Sequence, residues 1–237
     1  MKKILSIIAA LSIIIGAFSM FSVTAGAATD KVSLYSSEVF FSKYGITGTN
    51  VFVQTKDNAG DQKVTVHYNN LEGKDWLDAK AEYVTTLEDG SKIWKAYINS
   101  FNTEYVIKYE GDGNVTWDNN GGKNYKTETI GTAPIAVNRE TYQNLDSYKI
   151  TATLQNYGYN KDVKVVYTVD GWKTSKEAAM TYVKTNDDGT EQWSTTLRED
   201  DKNKDGFQYC VSYTVNGQTF WANNFGKNYD VTYRINH

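Results

Sequence analysis

The chain has 237 residues and a formal net charge of −3, so its charge gives no sign of the basic surface that nucleic-acid binding needs. Aromatic residues are dense, with eighteen Tyr and six Trp against a single Pro, which argues against disorder because such a chain buries enough apolar surface to fold. One cysteine, Cys210, cannot form a disulfide framework.

The first residues have the order of a secretory signal peptide. Lys2 and Lys3 precede an apolar run that ends near Val23, and the small residues Ala25-Gly26-Ala27 follow it. An uncleaved membrane anchor is the alternative, since roughly 20 apolar residues span a bilayer. Serines and a glycine dilute the run, however, so we expect residues 1–27 to be removed. The mature protein is then secreted or held at the cell surface, without a membrane segment.

The rest of the chain repeats itself with a period near 100 residues. The run from Trp117 to Tyr125, W-D-N-N-G-G-K-N-Y, returns from Trp221 to Tyr229 as W-A-N-N-F-G-K-N-Y. Such a period is typical of duplicated whole domains rather than of a solenoid. We predict two domains, residues 28–130 and 131–237, which join near the only proline.

Within each copy the apolar residues alternate with polar ones, which is the period of half-buried strands. Tyr209, Val211 and Tyr213 point one way while the residues between them point the other. Asn216-Gly217 is a strong hairpin signal between two such strands. Only residues 175–181 could form a helical turn, and a strand is an equal alternative there. The sequence therefore predicts an all-β fold of two tandem β-sandwiches.

The six tryptophans fall into two groups. Trp94 and Trp193 lie inside strand-like runs, so we predict that they are core residues. The other four lie in a charged loop, after a turn, or at the start of an Asn-rich loop, namely Trp76, Trp172, Trp117 and Trp221. An indole in such places either covers the sandwich edge or forms an exposed binding platform.

Sugar chemistry favours the platform. Aromatic rings bury the flat face of a glucosyl ring, while Asn amides supply the donors and acceptors that pair with its hydroxyls. Asn residues stand beside both loop tryptophans, at positions 119, 120 and 124 and again at 223, 224 and 228. Turn formation is the alternative role for these amides, because Asn caps its own backbone and tolerates left-handed conformations.

The motif W-x-N-N-x-x-K-N-Y, together with V-x-V-x-Y and a loop Trp upstream of it, resembles carbohydrate-binding module family 21. That family includes the starch-binding domain of fungal glucoamylase and the glycogen-targeting domain of protein phosphatase 1 subunits. The resemblance covers the mature chain twice. It implies immunoglobulin-like β-sandwiches without catalytic activity that bind α-glucans.

The resemblance also implies which residues bind. The main sites would be formed by the aromatic and Asn positions of each copy, namely Trp76, Trp117, Asn119 and Asn124, then Trp172, Trp221, Asn223 and Asn228. A further aromatic of the family's site falls here at Val106 and Cys210, so that part of the platform is missing or replaced. A second site would use Tyr159 and Tyr182 in the second copy, and Tyr83 alone in the first, where Gly60 stands at the other position.

Catalysis and metal binding find no support. His67 and His237 are the only histidines, so neither a nucleophilic triad nor a two-histidine metal site can be assembled. A glycosidase-type carboxylate pair stays open among the 28 acidic residues, but two domains of about 100 residues leave no obvious chain for a deep cleft. Residues 201–206 resemble the opening of a calcium loop, but Ser212 occupies the twelfth position, where a bidentate Glu is required. We expect a charged hairpin turn there, and we predict no catalytic residue, metal or cofactor.

The sequence thus predicts a monomeric, secreted, non-catalytic protein that binds starch, glycogen or maltooligosaccharides through two modules, with secreted amylases as candidate partner enzymes. Linking two weak sites raises avidity by about 10²–10⁴ when the geometry permits. The alternative is a structural or adhesive β-sandwich protein that binds another protein or a different polysaccharide.

Overall fold

The structure is a computed structural model that describes residues 31–42, 45–69, 75–100, 103–144, 147–198 and 207–230. Within these ranges the chain forms eighteen β-strands and no helix. None of the described residues, accordingly, belongs to a helix that could cross a membrane. The predicted signal peptide and the hairpin turn predicted at 201–206 lie outside the described residues.

The first half contains nine strands in two antiparallel sheets. One sheet has the order β1-β2-β6-β5 and the other β4-β3-β7-β8, with β9 paired to β7. The strands are β1 (Val32–Ser42), β2 (Gly45–Thr55), β3 (Lys63–Asn69), β4 (Trp76–Lys80), β5 (Glu82–Thr86), β6 (Lys92–Ile98), β7 (Glu104–Gly111), β8 (Asn114–Asp118) and β9 (Tyr125–Lys126).

The second half repeats this strand order. Its sheets are β10-β11-β15-β14 and β13-β12-β16-β17, with β18 paired to β16. The strands are β10 (Ile135–Asn144), β11 (Ser147–Leu154), β12 (Lys161–Thr168), β13 (Lys176–Ala179), β14 (Thr181–Thr185), β15 (Glu191–Arg198), β16 (Gln208–Val215), β17 (Gln218–Ala222) and β18 (Tyr229–Asp230).

Each half has its own apolar core between its two sheets, as the alternation predicts. On β16, Tyr209, Val211 and Tyr213 are completely buried and belong to the second core. Their counterparts on β7 occupy the same place in the first core. The Asn216-Gly217 hairpin also forms, with both residues at positive φ. The prediction of an all-β protein with two sandwiches is therefore confirmed.

One local expectation needed revision. Trp76 does not lie in a loop, because it is the first residue of β4 and pairs with Asn69. Of the two alternatives for residues 175–181, the strand is the one that forms, since β13 completes an edge of the second sheet. The half-buried Trp94 and Trp193 pack against the two cores without being sealed in them.

The segment between β9 and β10 runs back along β1 instead of leaving the first half as a free linker. The amide of Gly131 donates to the Tyr35 carbonyl at 3.0 Å, and the amide of Thr132 donates to the Leu34 carbonyl at 2.9 Å. A Cβ on Gly131 would lie 2.0 Å from the Leu34 oxygen, so only glycine fits this approach. Hydrogen bonds therefore hold the junction along its length.

Candidate functional site

Two of the predicted indoles of the first half stand on the solvent face of one sheet, with a histidine between them. The ring of His67 stacks on Trp76, with centroids 5.0 Å apart and planes 18° apart. It meets Trp117 edge to face at 5.9 Å. Trp76 is 39% exposed and Trp117 46%, so both indoles present large apolar surface to water. We call Trp76, His67 and Trp117 the first platform.

Strand alternation places these three rings on one face. On β3 the residues Val64, Val66 and Tyr68 point into the core, which leaves His67 on the outside. Register then brings Asp78 of β4 opposite His67, so that Trp76, two residues earlier, lies diagonally beside the imidazole. The platform therefore lies on three strands of one sheet, β4, β3 and β8, with β7 between the last two, rather than on loops.

A carboxylate holds the central ring of the platform. His67 Nδ1 lies 2.6 Å from Asp78 Oδ1, a distance at which the two groups share a hydrogen bond. This contact sets the orientation of the imidazole against the Trp76 ring. The imidazole stacks on Trp76 but meets Trp117 at 75°, so the three rings form an angled aromatic surface. The exposed indole faces of such a surface can bury the apolar face of a sugar while the groups at its border pair with hydroxyls.

The Asn-rich loop that follows Trp117 closes on its own hydrogen bonds. Asn119 Oδ1 accepts from the amide of Gly122 at 3.0 Å, and the Asn119 carbonyl accepts from the amide of Asn124 at 2.9 Å. Asn124 Nδ2 donates to Glu104 Oε2 at 3.1 Å. These bonds match the turn-forming alternative, and Asn119, two residues after Trp117, is also exposed.

A buried carboxylate anchors this first loop from below. Asp118 accepts from the hydroxyl of Tyr125 at 2.7 Å and from the amide of Asn120 at 3.1 Å. Burial raises the pKa of Asp118 above its usual value, while both hydrogen bonds act in the opposite direction. The first half therefore fixes its binding loop with its own residues.

In the second half, Trp172 occupies a turn and adopts a left-handed backbone with φ of 67°. Its amide donates to Thr168 Oγ1 at 2.9 Å, and its indole N–H donates to Gln208 Oε1 at 2.7 Å. Asp170 holds the turn by accepting from the amide and hydroxyl of Thr174. The hydrogen bond from the Thr174 amide contributes most to lowering the pKa of Asp170 to about 2, and the hydroxyl bonds add to it.

The other predicted residues of the second main site surround the loop after β17. Trp221 is 47% exposed. Asn223 Oδ1 accepts from the amide of Gly226 at 3.1 Å, and the Asn223 carbonyl accepts from the amide of Asn228 at 2.8 Å. Val166 occupies the strand position that His67 has in the first half, and among the described residues Trp172 and Trp221 share no ring contact.

Two of the predicted second-site tyrosines, Tyr83 and Tyr182, lie on the other sheet of their halves. Tyr83 meets Trp94 edge to face at 5.9 Å, and Tyr182 meets Trp193 in the same way at 6.0 Å. Each of the two tyrosines is about half exposed. Tyr159 is 97% exposed on the loop before β12, and within the described part of the chain it makes no ring contact with Tyr182.

Sequence reasoning missed His67 as a member of the platform. The family resemblance marks Val106 as the place of a missing aromatic. The ring that takes its place belongs to His67, which lies on the neighbouring strand β3 and pairs with Val106. Its position outside the core could have been read from the alternation of β3. Its contact with both indoles depends on register, which the sequence does not state.

Comparison with known proteins places the second half in a family. Residues 132–232 match the family described as Carbohydrate/starch-binding module (family 21). This part of the chain is therefore a carbohydrate-binding module of that family, and the resemblance found in the sequence is confirmed for it. For the first half, the same assignment rests on the internal repeat and stays a prediction.

Curated relatives match over part of the chain. Protein phosphatase 1 regulatory subunit 3B of Bos taurus is 35% identical over 85 residues, which cover 34% of this chain and 30% of the relative. The human protein of the same name is 34% identical over 85 residues, again 34% of this chain and 30% of the relative. The chain thus spans about a third of these relatives' length. Their names refer to a phosphatase and lend no support to amylases as partners.

Two solved structures are also similar. The carbohydrate-binding module of the muscle glycogen-targeting subunit of protein phosphatase 1 is 29% identical, with a TM-score of 0.36, over 40% of this chain and 73% of that one. The starch-binding domain of Rhizopus oryzae glucoamylase, in complex with β-cyclodextrin and maltoheptaose, is 22% identical, with a TM-score of 0.36. The match covers 42% of this chain and 92% of that domain.

Proposed function

We propose that this protein binds α-glucan chains without chemical turnover, through exposed indole surfaces on both halves. The observation that carries the proposal is the first platform, where three rings lie together on the solvent face of a sheet. Contiguous exposed apolar surface on a soluble domain usually marks a binding site. Flat aromatic surface bordered by amides suits a ligand with apolar ring faces and hydroxyl rims.

The family of the second half supports the same substrate class. That family is described as a carbohydrate- or starch-binding module. Trp221 and Asn223 belong to the loop motif that both halves share. The first half repeats the motif, so we propose one main binding surface in each half. Starch, glycogen and maltooligosaccharides are the expected ligands, because all present helical chains of glucosyl rings.

We further propose that the protein acts outside the cell. The order of basic, apolar and small residues at the N-terminus supports export, after which the chain holds starch near the cell or near enzymes that degrade it. Secretion is testable directly: the culture medium or the cell surface should contain a chain that starts near residue 28. A chain retained in the cytoplasm with residue 1 intact would contradict it.

Affinity electrophoresis tests the binding proposal. We expect native gels containing soluble starch or glycogen to retard the full chain. Gels containing cellulose derivatives or chitin derivatives should leave its mobility unchanged. The double variant Trp117→Ala, Trp221→Ala should migrate as if no glucan were present. Tyr97→Ala is the matched control, since Tyr97 is 47% exposed on the opposite sheet of the first half.

Two results would contradict the proposal. If the wild-type chain ignores every α-glucan, the aromatic surfaces serve another ligand, and a protein-binding or adhesive role becomes the better explanation. If the double variant binds as well as the Tyr97→Ala control, the glucan binds elsewhere. Thermal melting of all variants should show that the exposed substitutions leave the fold intact.

A further inference from the structure

The two halves meet through the loop that carries the second main site. Phe225, at the tip of that loop, packs across the junction onto Phe52 and Tyr35 of the first half, with ring centroids 5.2 and 5.8 Å apart. The hydroxyl of Tyr229 donates to Glu38 Oε1 at 3.1 Å. In the first half the equivalent tyrosine, Tyr125, is held by Asp118 of its own loop instead.

Phe225 makes this contact from an unfavourable backbone. Its φ is 55°, in the left-handed region that a residue with a Cβ seldom adopts, whereas its counterpart in the first half is Gly121 at 63°. A phenylalanine where the loop calls for glycine needs a compensating interaction. The packing of its ring on Phe52 and Tyr35 provides one, so the second loop is shaped to dock on the first half.

Docking leaves a cleft of about 300 Å³ between the two halves. This volume is at the lower end of the range of about 300–1,000 Å³ for small-molecule sites. One wall belongs to the second half and includes Trp221 and Asn223. The opposite wall belongs to the first half and includes Glu38, Thr86 and Glu88.

The chemistry of the cleft selects its occupant. An exposed indole on one side suits an apolar ring face, and an amide lies beside it. Carboxylates and a threonine hydroxyl on the other side accept hydrogen bonds from hydroxyl groups and repel anions, which excludes phosphate or acidic ligands. A neutral, hydroxyl-rich sugar ring, placed next to a ring that stacks on Trp221, suits the residues of both walls.

We propose that this cleft is a glucosyl subsite shared by the two halves. A glucan chain stacked on Trp221 extends into the cleft, where Glu88 of the first half accepts a hydrogen bond from one of its hydroxyls. The subsite deepens the glucan-binding function proposed above and rests on it. It makes the first half part of the second half's binding site.

The repeat supplies a matched control for Glu88. Glu88 precedes Asp89-Gly90 in the turn between β5 and β6, and Asp187 precedes Asp188-Gly189 in the equivalent turn of the second half. Both turns have the same capping: Asp89 Oδ1 accepts from the amide of Ser91, and Asp188 Oδ1 accepts from the amide of Thr190, each at 3.0 Å. Of the matched pair Glu88 and Asp187, only Glu88 lines the cleft.

The experiment uses the full chain with Trp76→Ala and Trp117→Ala, which silence the first platform, and measures affinity for maltoheptaose and maltotriose by calorimetry. We expect Glu88→Ala to weaken maltoheptaose binding by about tenfold, as loss of one hydrogen bond to a charged group implies. Maltotriose, which the Trp221 surface alone can hold, should bind unchanged. Phe225→Gly, which keeps the left-handed backbone, should also weaken only the longer ligand.

Each other outcome has a defined meaning. If Glu88→Ala and Phe225→Gly bind maltoheptaose as the parent does, or if Asp187→Ala weakens it as much as Glu88→Ala, the shared subsite is wrong while glucan binding stands. If the wild-type chain binds neither ligand, the proposed function fails and the subsite with it. Equal melting temperatures for Glu88→Ala and Asp187→Ala separate lost contacts from lost folding.

Discussion

The two halves use one loop motif to build two different surfaces. In the first half, Trp76 lies in a strand, stacks on His67 and forms a platform that its own residues complete. In the second half, Trp172 lies in a turn held by Asp170 and Gln208, and Val166 stands where His67 would be. The loop after Trp221 rests on the neighbouring half.

The comparison teaches that a repeated motif fixes the position of an exposed indole but not the contacts that support it. The first loop carries Asp118 and needs no partner, whereas the second has Ala222 at that position and sends Tyr229 to Glu38. The surface of the first half is thus supported by its own residues, whereas the loop of the second half is supported by contacts with the first half. Four experiments separate these two arrangements.

The largest effect is expected from removing one of the two surfaces. Trp221→Ala should lower retention of the full chain on insoluble starch by about 100-fold or more, because the tandem becomes a single weak site. Folded content should stay unchanged, which circular dichroism checks. Trp193→Ala is the contrasting variant, and it should cost about 3 kcal/mol of unfolding free energy because the partly buried indole packs against the core. Retention that survives Trp221→Ala would show that the second surface is idle.

Next in size is the effect of breaking the junction. Gly131→Ala forces a methyl group against the Leu34 carbonyl, so we expect a loss of about 3 kcal/mol in unfolding free energy, measured by urea denaturation. Gly60→Ala is the control, because a Cβ there meets nothing within 4 Å. A Gly131→Ala protein as stable as Gly60→Ala would mean that the junction segment does not hold the halves together.

A smaller effect separates the two platforms directly. His67→Val gives the first platform the residue of the second and removes the ring that stacks on Trp76. Aromatic pairs contribute about 0.5–1.5 kcal/mol, so maltoheptaose affinity should fall by about three- to tenfold in a chain that also carries Trp221→Ala. Thr65→Val, on the same face of β3, should leave the affinity as it was. If both variants bind alike, the imidazole is not part of the surface.

The smallest effect at neutral pH concerns the turn that carries Trp172. The pKa of Asp170 is about 2 in the folded chain, below the ordinary value of 3.8, so its stabilising contribution is complete above about pH 5 and is lost as pH falls through 4 towards 2. With the first platform silenced, glucan binding should be flat from about pH 7 to 5 and decline below that. Asp170→Asn should already bind more weakly at pH 7, and binding that declines between pH 7 and 5 would contradict this role.

The sequence predicted the features that depend on short-range patterns. Alternation of Tyr209, Val211 and Tyr213 indicated strands with one buried face, and Asn216-Gly217 indicated a hairpin, because both signals are local. The tryptophans that the motif marked as binding residues are indeed exposed, all four of them by more than a third of their surface. Whether they bind sugar stays a prediction.

Features that depend on register or on the neighbouring half could not be predicted. The place of Trp76 in a strand follows from its pairing with Asn69, and the role of His67 follows from the same register. Phe225 stands at a variable position of the loop motif. Its partners Phe52 and Tyr35 lie 173 and 190 residues earlier in the chain, and no periodic pattern connects them.

The lone cysteine has a chemical consequence. Cys210 is buried beneath the second surface, and burial raises the pKa of its thiol to about 11. At pH 7 only about one molecule in ten thousand then carries the reactive thiolate. Burial and the raised pKa therefore both disfavour oxidation and disulfide exchange at Cys210.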